Sequence, residues 1–210
     1  AYMNEVFTIV NERLRKLNPK LIIPKLDLVK IKVEHYGSDA YYTRGKAIFL
    51  PSNTLDRKEV KGQANVMLHE VWHILSRYDE SLRNAVYEQI GFAPHGQEVK
   101  LPEALAPFVL TNPDGVRMDY AIALGHTKVL PIISMSKKRF TPAVPKFFDY
   151  INFDLYKMND DGSVEANDQG KTTVAPDKMQ LFFSQIKDNT QYIIHSPIQN
   201  KAMVLQTLID

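Results

Sequence analysis

The chain has 210 residues, of which 44% are hydrophobic and 24% are charged, and its formal net charge is +2. This length and composition predict a single folded domain over residues 1–210 and exclude an intrinsically disordered chain. The near balance of charges argues against a nucleic acid partner. The absence of cysteine excludes disulfides, a cysteine nucleophile and a cysteine-rich zinc knuckle, but it leaves the redox compartment open.

Targeting signals are not evident in the sequence. The residues from Ala1 to Glu5 lack a basic segment and a continuous apolar core, and no later run approaches the roughly 18 apolar residues of a membrane span. We therefore predict no signal peptide and no transmembrane segment in this chain. The localisation, cytoplasmic or secreted, stays open, as do the oligomeric state and whether the chain is a fragment of a longer protein.

The first half of the chain contains one helix followed by two strands. Five apolar residues at helical spacing predict a helix that stops at Asn18-Pro19, namely Val6, Ile9, Val10, Leu14 and Leu17. Residues 29–33 alternate apolar and charged side chains, which is typical of a half-buried strand, and residues 47–50 predict another. The segment Pro51-Ser52-Asn53-Thr54 breaks the strand pattern and offers cap-type residues for the next helix.

That next helix carries the sequence His69-Glu70-Val71-Trp72-His73. Residues four apart lie on one helix face with Cβ atoms roughly 6 Å apart, so His69 and His73 can reach one Zn²⁺. Glu70 is then close enough to hydrogen-bond a water on that metal and to act as general base rather than ligand. Seven apolar residues form an arc on the other side of the helix: Ala64, Met67, Leu68, Val71, Trp72, Ile74 and Leu75.

The second half of the chain is predicted to be rich in β-structure. A helix over residues 80–90 precedes a loop region over residues 92–115, which contains a short helical insert from Pro102 and a turn at residues 112–115. Strands are predicted at residues 116–124 and 128–133, joined at Gly125-His126, and at residues 147–156. Residues 181–186 predict a last helix, and an apolar run at residues 192–194 precedes His195.

The motif residues resemble the zinc metallopeptidases called zincins, through His69, Glu70 and His73 and the order of strands and helix before them. The resemblance covers about the first half of the chain. It implies an α+β, zincin-like fold with a mixed or antiparallel sheet packed on an active-site helix and a β-rich C-terminal half. It also implies that an antiparallel edge strand within residues 42–50 holds the substrate backbone.

The resemblance is to the gluzincin type rather than to the metzincins, because Ser76 and Asp79 replace the glycine and third histidine of the longer metzincin motif. A third zinc ligand should therefore come from elsewhere in the chain. The candidates are Asp114 in an Asn-Pro-Asp-Gly turn, His195 after an apolar run, and Glu103. Glu88 and Glu98 are weaker candidates, since neither has the sequence context of a gluzincin ligand.

The predicted function is zinc-dependent hydrolysis of peptide bonds in a protein or peptide substrate. Tyr120, Tyr192 and Arg77 are candidates to stabilise the oxyanion that develops during hydrolysis. One alternative is a catalytically inactive zincin-like domain that binds a protein or peptide. Another is a fragment of a bacterial host-directed protease or toxin.

Overall fold

The computed structural model describes residues 2–21, 23–32, 41–56, 59–111, 114, 118–136 and 151–186. Over these residues the protein is α+β, with four α-helices and two separate sheets, which confirms the predicted class. They divide into two units, one reaching to Arg83 and the other starting at Asn84. The predicted assignment of the whole chain to a single domain stays a prediction.

The first unit opens with helix α1, Tyr2–Leu17, which packs along helix α2, Val60–Tyr78. Val6, Val10 and Leu14 of α1 are at most 1% exposed. The apolar spacing in the sequence therefore identified the side of α1 that enters the core, and the predicted end of this helix is confirmed.

A three-stranded mixed sheet completes the first unit. Its strands are β1, Asp27–Ile31, β2, Tyr42–Arg44, and β3, Ala47–Pro51, and β3 lies in the middle, parallel to β1 and antiparallel to β2. Strand β2 contacts helix α2. The segment 42–50, expected as one edge strand, is thus a hairpin, and only its first part lies at an edge of this sheet.

Helix α2 begins later than the cap-type residues after β3 suggested. Those residues instead form a short 3-10 helix, Ser52–Asp56. The N-cap of α2 is Glu59, whose carboxylate accepts a hydrogen bond of 2.5 Å from the backbone N–H of Gly62. This corrects the predicted cap: an acidic side chain satisfies one of the free amides and also suits the positive end of the helix dipole.

Helix α3, Glu80–Gln89, begins in the first unit and ends in the second. The second unit contains a four-stranded antiparallel sheet in the order β4, β5, β6, β7 and helix α4, Asp177–Gln185. The strands are Phe92–Pro94, Tyr120–Leu124, Thr127–Met135 and Ile151–Lys157. Strands β5, β6 and β7 overlap the three strands predicted for the second half of the chain.

The core of the second unit includes a cluster around Leu130, Ile132 and Tyr156 of strands β6 and β7. Phe182 of helix α4 is fully buried and meets Phe92 and Phe153, with ring centroids 6.2 and 5.8 Å apart. Packing of these aromatic rings accounts for the position of α4 against the sheet.

Several predicted boundaries differ from the structure. The insert expected from Pro102 is a 3-10 helix at Ala106–Phe108, and β5 starts at Tyr120 rather than at residue 116. The apolar run at residues 192–194 lies outside the described residues. Within the part of the chain that the structure describes, no helix combines the length and the apolar character needed to cross a membrane.

Candidate metal centre

Helix α2 is buried around most of its circumference. The apolar arc predicted from the sequence is at most 4% exposed, and on the other side Glu70 and His73 are only 4% and 2% exposed. Glu70 and His73 are therefore shielded from bulk water, whereas His69 is half-buried. Electrostatic interactions of these side chains are strengthened by their removal from water.

His69 and His73 face each other across one turn of this helix. Their Nε2 atoms are 2.9 Å apart, and the ring centroids are 4.5 Å apart with an interplanar angle of 79°. Two imidazole nitrogens bound to one tetrahedral Zn²⁺ at about 2.0–2.1 Å lie roughly 3.3 Å apart. The observed separation is that of a hydrogen bond between the two rings, and an outward shift of about 0.4 Å would bring the two nitrogens to the zinc spacing.

The protonation state of His69 also suits a ligand. Burial of the imidazole lowers the pKa of His69 from 6.5 to about 4, because desolvation penalises the charged form. At neutral pH the ring is therefore uncharged. A neutral imidazole keeps the nitrogen lone pair that a metal requires.

Glu70 is adjacent to His69 and three residues before His73, so the helix brings a buried carboxylate to the same segment as the two imidazoles. Positions one residue apart differ by about 100° around the axis. The carboxylate therefore lies to the side of the histidine pair. This placement suits a general base beside a bound metal ion better than it suits a metal ligand.

The two positions that distinguish metzincins have local structural roles here. The Ser76 hydroxyl donates to the His73 carbonyl at 3.2 Å. Asp79 caps the end of α2, since its N–H donates to the Leu75 carbonyl, and its side chain accepts from the N–H of Leu82 at 2.9 Å. Asp79 thus links two consecutive helices.

The third ligand is not identified by the structure. Two of the candidates belong to the second unit: Asp114, which is 7% exposed, and Glu103, which is exposed. The third, His195, lies outside the described residues. Among the residues with described positions, no group of three or more His, Asp or Glu side chains is gathered in a way that could hold a metal. The three candidates therefore stay predictions.

The candidates for oxyanion stabilisation have other contacts. Arg77 donates to the Thr43 hydroxyl at 2.8 Å and to the Gly45 carbonyl at 2.9 Å. The Tyr120 hydroxyl donates to the side chain of Asn84 at 2.5 Å within the second unit. Tyr192 lies outside the described residues. The contact of Arg77 with the β2–β3 hairpin was not foreseen. The one signal in the sequence is the seven-residue spacing of Gln63, Glu70 and Arg77, which places them on the same side of the helix.

Comparison of the chain with protein-family models, with curated proteins and with solved structures gives no match in any of the three. The interpretation of the site therefore depends on its own residues. Those residues are two imidazoles whose Nε2 atoms approach each other and one buried carboxylate, all on a single helix.

Proposed function

We propose that the protein is a zinc-dependent metallopeptidase with a zincin-like fold that hydrolyses peptide bonds in a protein or peptide substrate. The observation that carries the proposal is the 2.9 Å separation of the His69 and His73 Nε2 atoms beside the buried Glu70. Imidazole nitrogen is a preferred ligand of zinc, and two His ligands plus one further protein ligand are typical of catalytic zinc sites.

The metal and the protein have separate tasks in this proposal. A bound Zn²⁺ would polarise the scissile carbonyl and lower the pKa of water from about 15.7 toward roughly 7. His69 and His73 would hold the ion through their Nε2 atoms, and the third ligand is sought among Asp114, His195 and Glu103. His73 is buried and His69 is half-buried, so the two imidazoles are shielded from bulk water to different degrees.

Glu70 moves the proton. Its carboxylate takes a proton from the attacking water as the new C–O bond forms, and the resulting carboxylic acid gives that proton to the amine nitrogen as the C–N bond breaks. The carboxylate is regenerated and no acyl-enzyme is formed.

The substitution Glu70→Gln tests this proposal, because it keeps the shape of the side chain and removes its basicity. We expect the variant to retain zinc and to lose about 10²- to 10⁴-fold in the hydrolysis of unfolded casein. The matched control is Glu59→Gln, an exposed glutamate that caps the same helix. Hydrolysis at the wild-type rate by Glu70→Gln would exclude Glu70 as the general base.

A further inference from the structure

Strand β1 forms one edge of the three-stranded sheet. Among the described residues it pairs with β3 alone, and β2, the strand that contacts helix α2, lies at the opposite edge. The N–H of Asp27 donates to the carbonyl of Lys46, just before β3, at 3.2 Å. Successive residues of a strand direct their backbone groups to alternate sides. Asp27 and Val29 therefore face β3, whereas the backbone groups of Leu28 and Lys30 face away from the sheet.

This outer edge of β1 is accessible to solvent. Leu28 is 41% exposed, and Lys30 is exposed. Outside the sheet, no described residue is hydrogen-bonded to the backbone of these two residues. A strand edge of this kind is a template for a further strand, because each outward N–H and C=O can form a ladder hydrogen bond. The edge of β1 can therefore accept a strand without the loss of a described contact.

One side of β1 carries positive charge at this edge. Leu28 and Lys30 lie on the side where their partners on β3 are the buried Ile48 and Leu50. Lys32, directly after the strand, is exposed and continues the same alternation in the sequence. Neither lysine forms an ion pair with a described residue. Both charges are therefore available to a strand that adds to this edge.

The other side of β1 is mainly apolar. It carries Val29 and Ile31, which are half-buried, with the exposed Asp27 at the start of the strand. A strand that adds to β1 therefore meets cations on one side and aliphatic side chains on the other. Opposite charges at directly opposed positions stabilise a pair of strands, whereas like charges destabilise it. The best complement is a strand with acidic side chains on one side and apolar side chains on the other.

We propose that the outer edge of strand β1 is a docking surface for an extended acidic segment of another polypeptide. The segment adds as an antiparallel strand, the more stable of the two arrangements. Acidic side chains lie opposite Lys30 and Lys32, and an apolar side chain lies opposite Leu28. The same lysines disfavour pairing between copies of this chain, because edge lysines of two copies repel each other. The surface does not include His69 or His73, so peptide binding is independent of the proposed function.

A fluorescein-labelled peptide, Thr-Glu-Val-Glu-Val-Leu-Thr, tests this inference by fluorescence anisotropy with the full chain. In the antiparallel register its two Glu residues lie opposite Lys30 and Lys32, and its Leu lies opposite Leu28. One matched peptide carries Lys in place of both Glu residues. Two others are methylated on backbone nitrogens: either on those of the second Glu and the Leu, which face β1, or on those of the two Val residues, which face away.

Two pairs of protein variants separate charge from backbone pairing. Lys30→Glu combined with Lys32→Glu reverses the charge of the edge, and Lys61→Glu, at an exposed position of α2, is the control. Leu28→Pro removes an outward N–H, and Leu28→Ala shortens the same side chain but keeps that N–H. The ladder to β3 uses other amides, so proline is compatible with this edge position.

We expect saturable binding of the Glu peptide and at least about tenfold weaker binding of the Lys peptide. Combined Lys30→Glu and Lys32→Glu should weaken binding of the Glu peptide about tenfold, and Lys61→Glu should leave it unchanged. Leu28→Pro should bind about fivefold more weakly than Leu28→Ala, because one backbone hydrogen bond is lost. Saturation with the peptide should slow hydrogen exchange of the Leu28 and Lys30 amides at least about tenfold and leave that of Val29 unchanged.

Absence of saturable binding of the Glu peptide would overturn the inference. Equal binding of the two methylated peptides would also overturn it, because only charge attraction without strand pairing would remain. That comparison uses the wild-type protein, so it does not depend on the folding of any variant. Tighter binding of oligothymidylate than of the peptide, lost in the double lysine variant, would assign the lysines to nucleic acid instead. A wild-type dimer in sedimentation that Leu28→Pro dissociates would assign the edge to a second copy of this chain.

Discussion

Acidification should destabilise the metal-free protein through His69. Burial lowers the pKa of this imidazole to about 4 in the folded state, against 6.5 for an ordinary histidine. The unfolded chain therefore takes up a proton at a higher pH than the folded protein. The stability contributed by the neutral ring is complete above pH 6.5 and is lost as the pH falls from 6.5 toward 4.

The size of this effect follows from the two pKa values. At pH 5 nearly all unfolded chains carry the proton on His69, whereas only about a tenth of folded chains do. The corresponding loss in the free energy of unfolding between pH 7.5 and pH 5 is about 2 kcal/mol. This is a large fraction of the stability of an ordinary domain.

The assay is urea denaturation in the presence of a chelator, with unfolding monitored by tryptophan fluorescence. Trp72 is the only tryptophan of the chain, is 1% exposed and lies on helix α2, so it reports unfolding of the first unit. His69→Gln is the comparator, because its side chain cannot titrate in this range. Equal losses of stability in wild type and His69→Gln between the two pH values would refute the lowered pKa.

Two further predictions concern packing in each unit. Ile48→Ala should lower the free energy of unfolding by about 2–5 kcal/mol in the same fluorescence assay, because Ile48 is fully buried. Its strand partner Leu28 is 41% exposed, so Leu28→Ala should lower the free energy of unfolding by less than about 1 kcal/mol. Gly170→Ala should lower the melting temperature in calorimetry more than Gly125→Ala. Both glycines have a positive φ, so both substitutions strain the backbone. Only at Gly170 would the new Cβ also meet a backbone oxygen, that of Ala104, at 2.7 Å. Similar costs for the two members of either pair would contradict the packing described here.

The helices were predictable because their signals are local. The spacing of apolar residues located α1, and the five-residue motif placed His69, Glu70 and His73 on one helix without any knowledge of the tertiary structure. The helical pattern shows which residues share a side but not what covers that side, so it does not by itself indicate that Glu70 and His73 are buried.

Short elements and long-range contacts were not predictable in the same way. Strands β2 and β4 have only three residues each, too few for an alternating pattern to emerge. The contact of Arg77 with Thr43 joins residues 34 positions apart, so no local spacing indicates it. The same reason leaves the third ligand open, since Asp114, Glu103 and His195 are all distant in sequence from the histidine pair.

The most direct test of the central claim is the zinc content of the wild type and of His73→Ala, purified side by side without added metal and measured by elemental mass spectrometry. We predict about one zinc per wild-type chain and its loss in the variant, because His73 supplies one of two ligands on the same helix. No zinc in the wild type, and none taken up on reconstitution, would contradict a metallopeptidase and favour a domain that binds a protein or peptide without hydrolysing it.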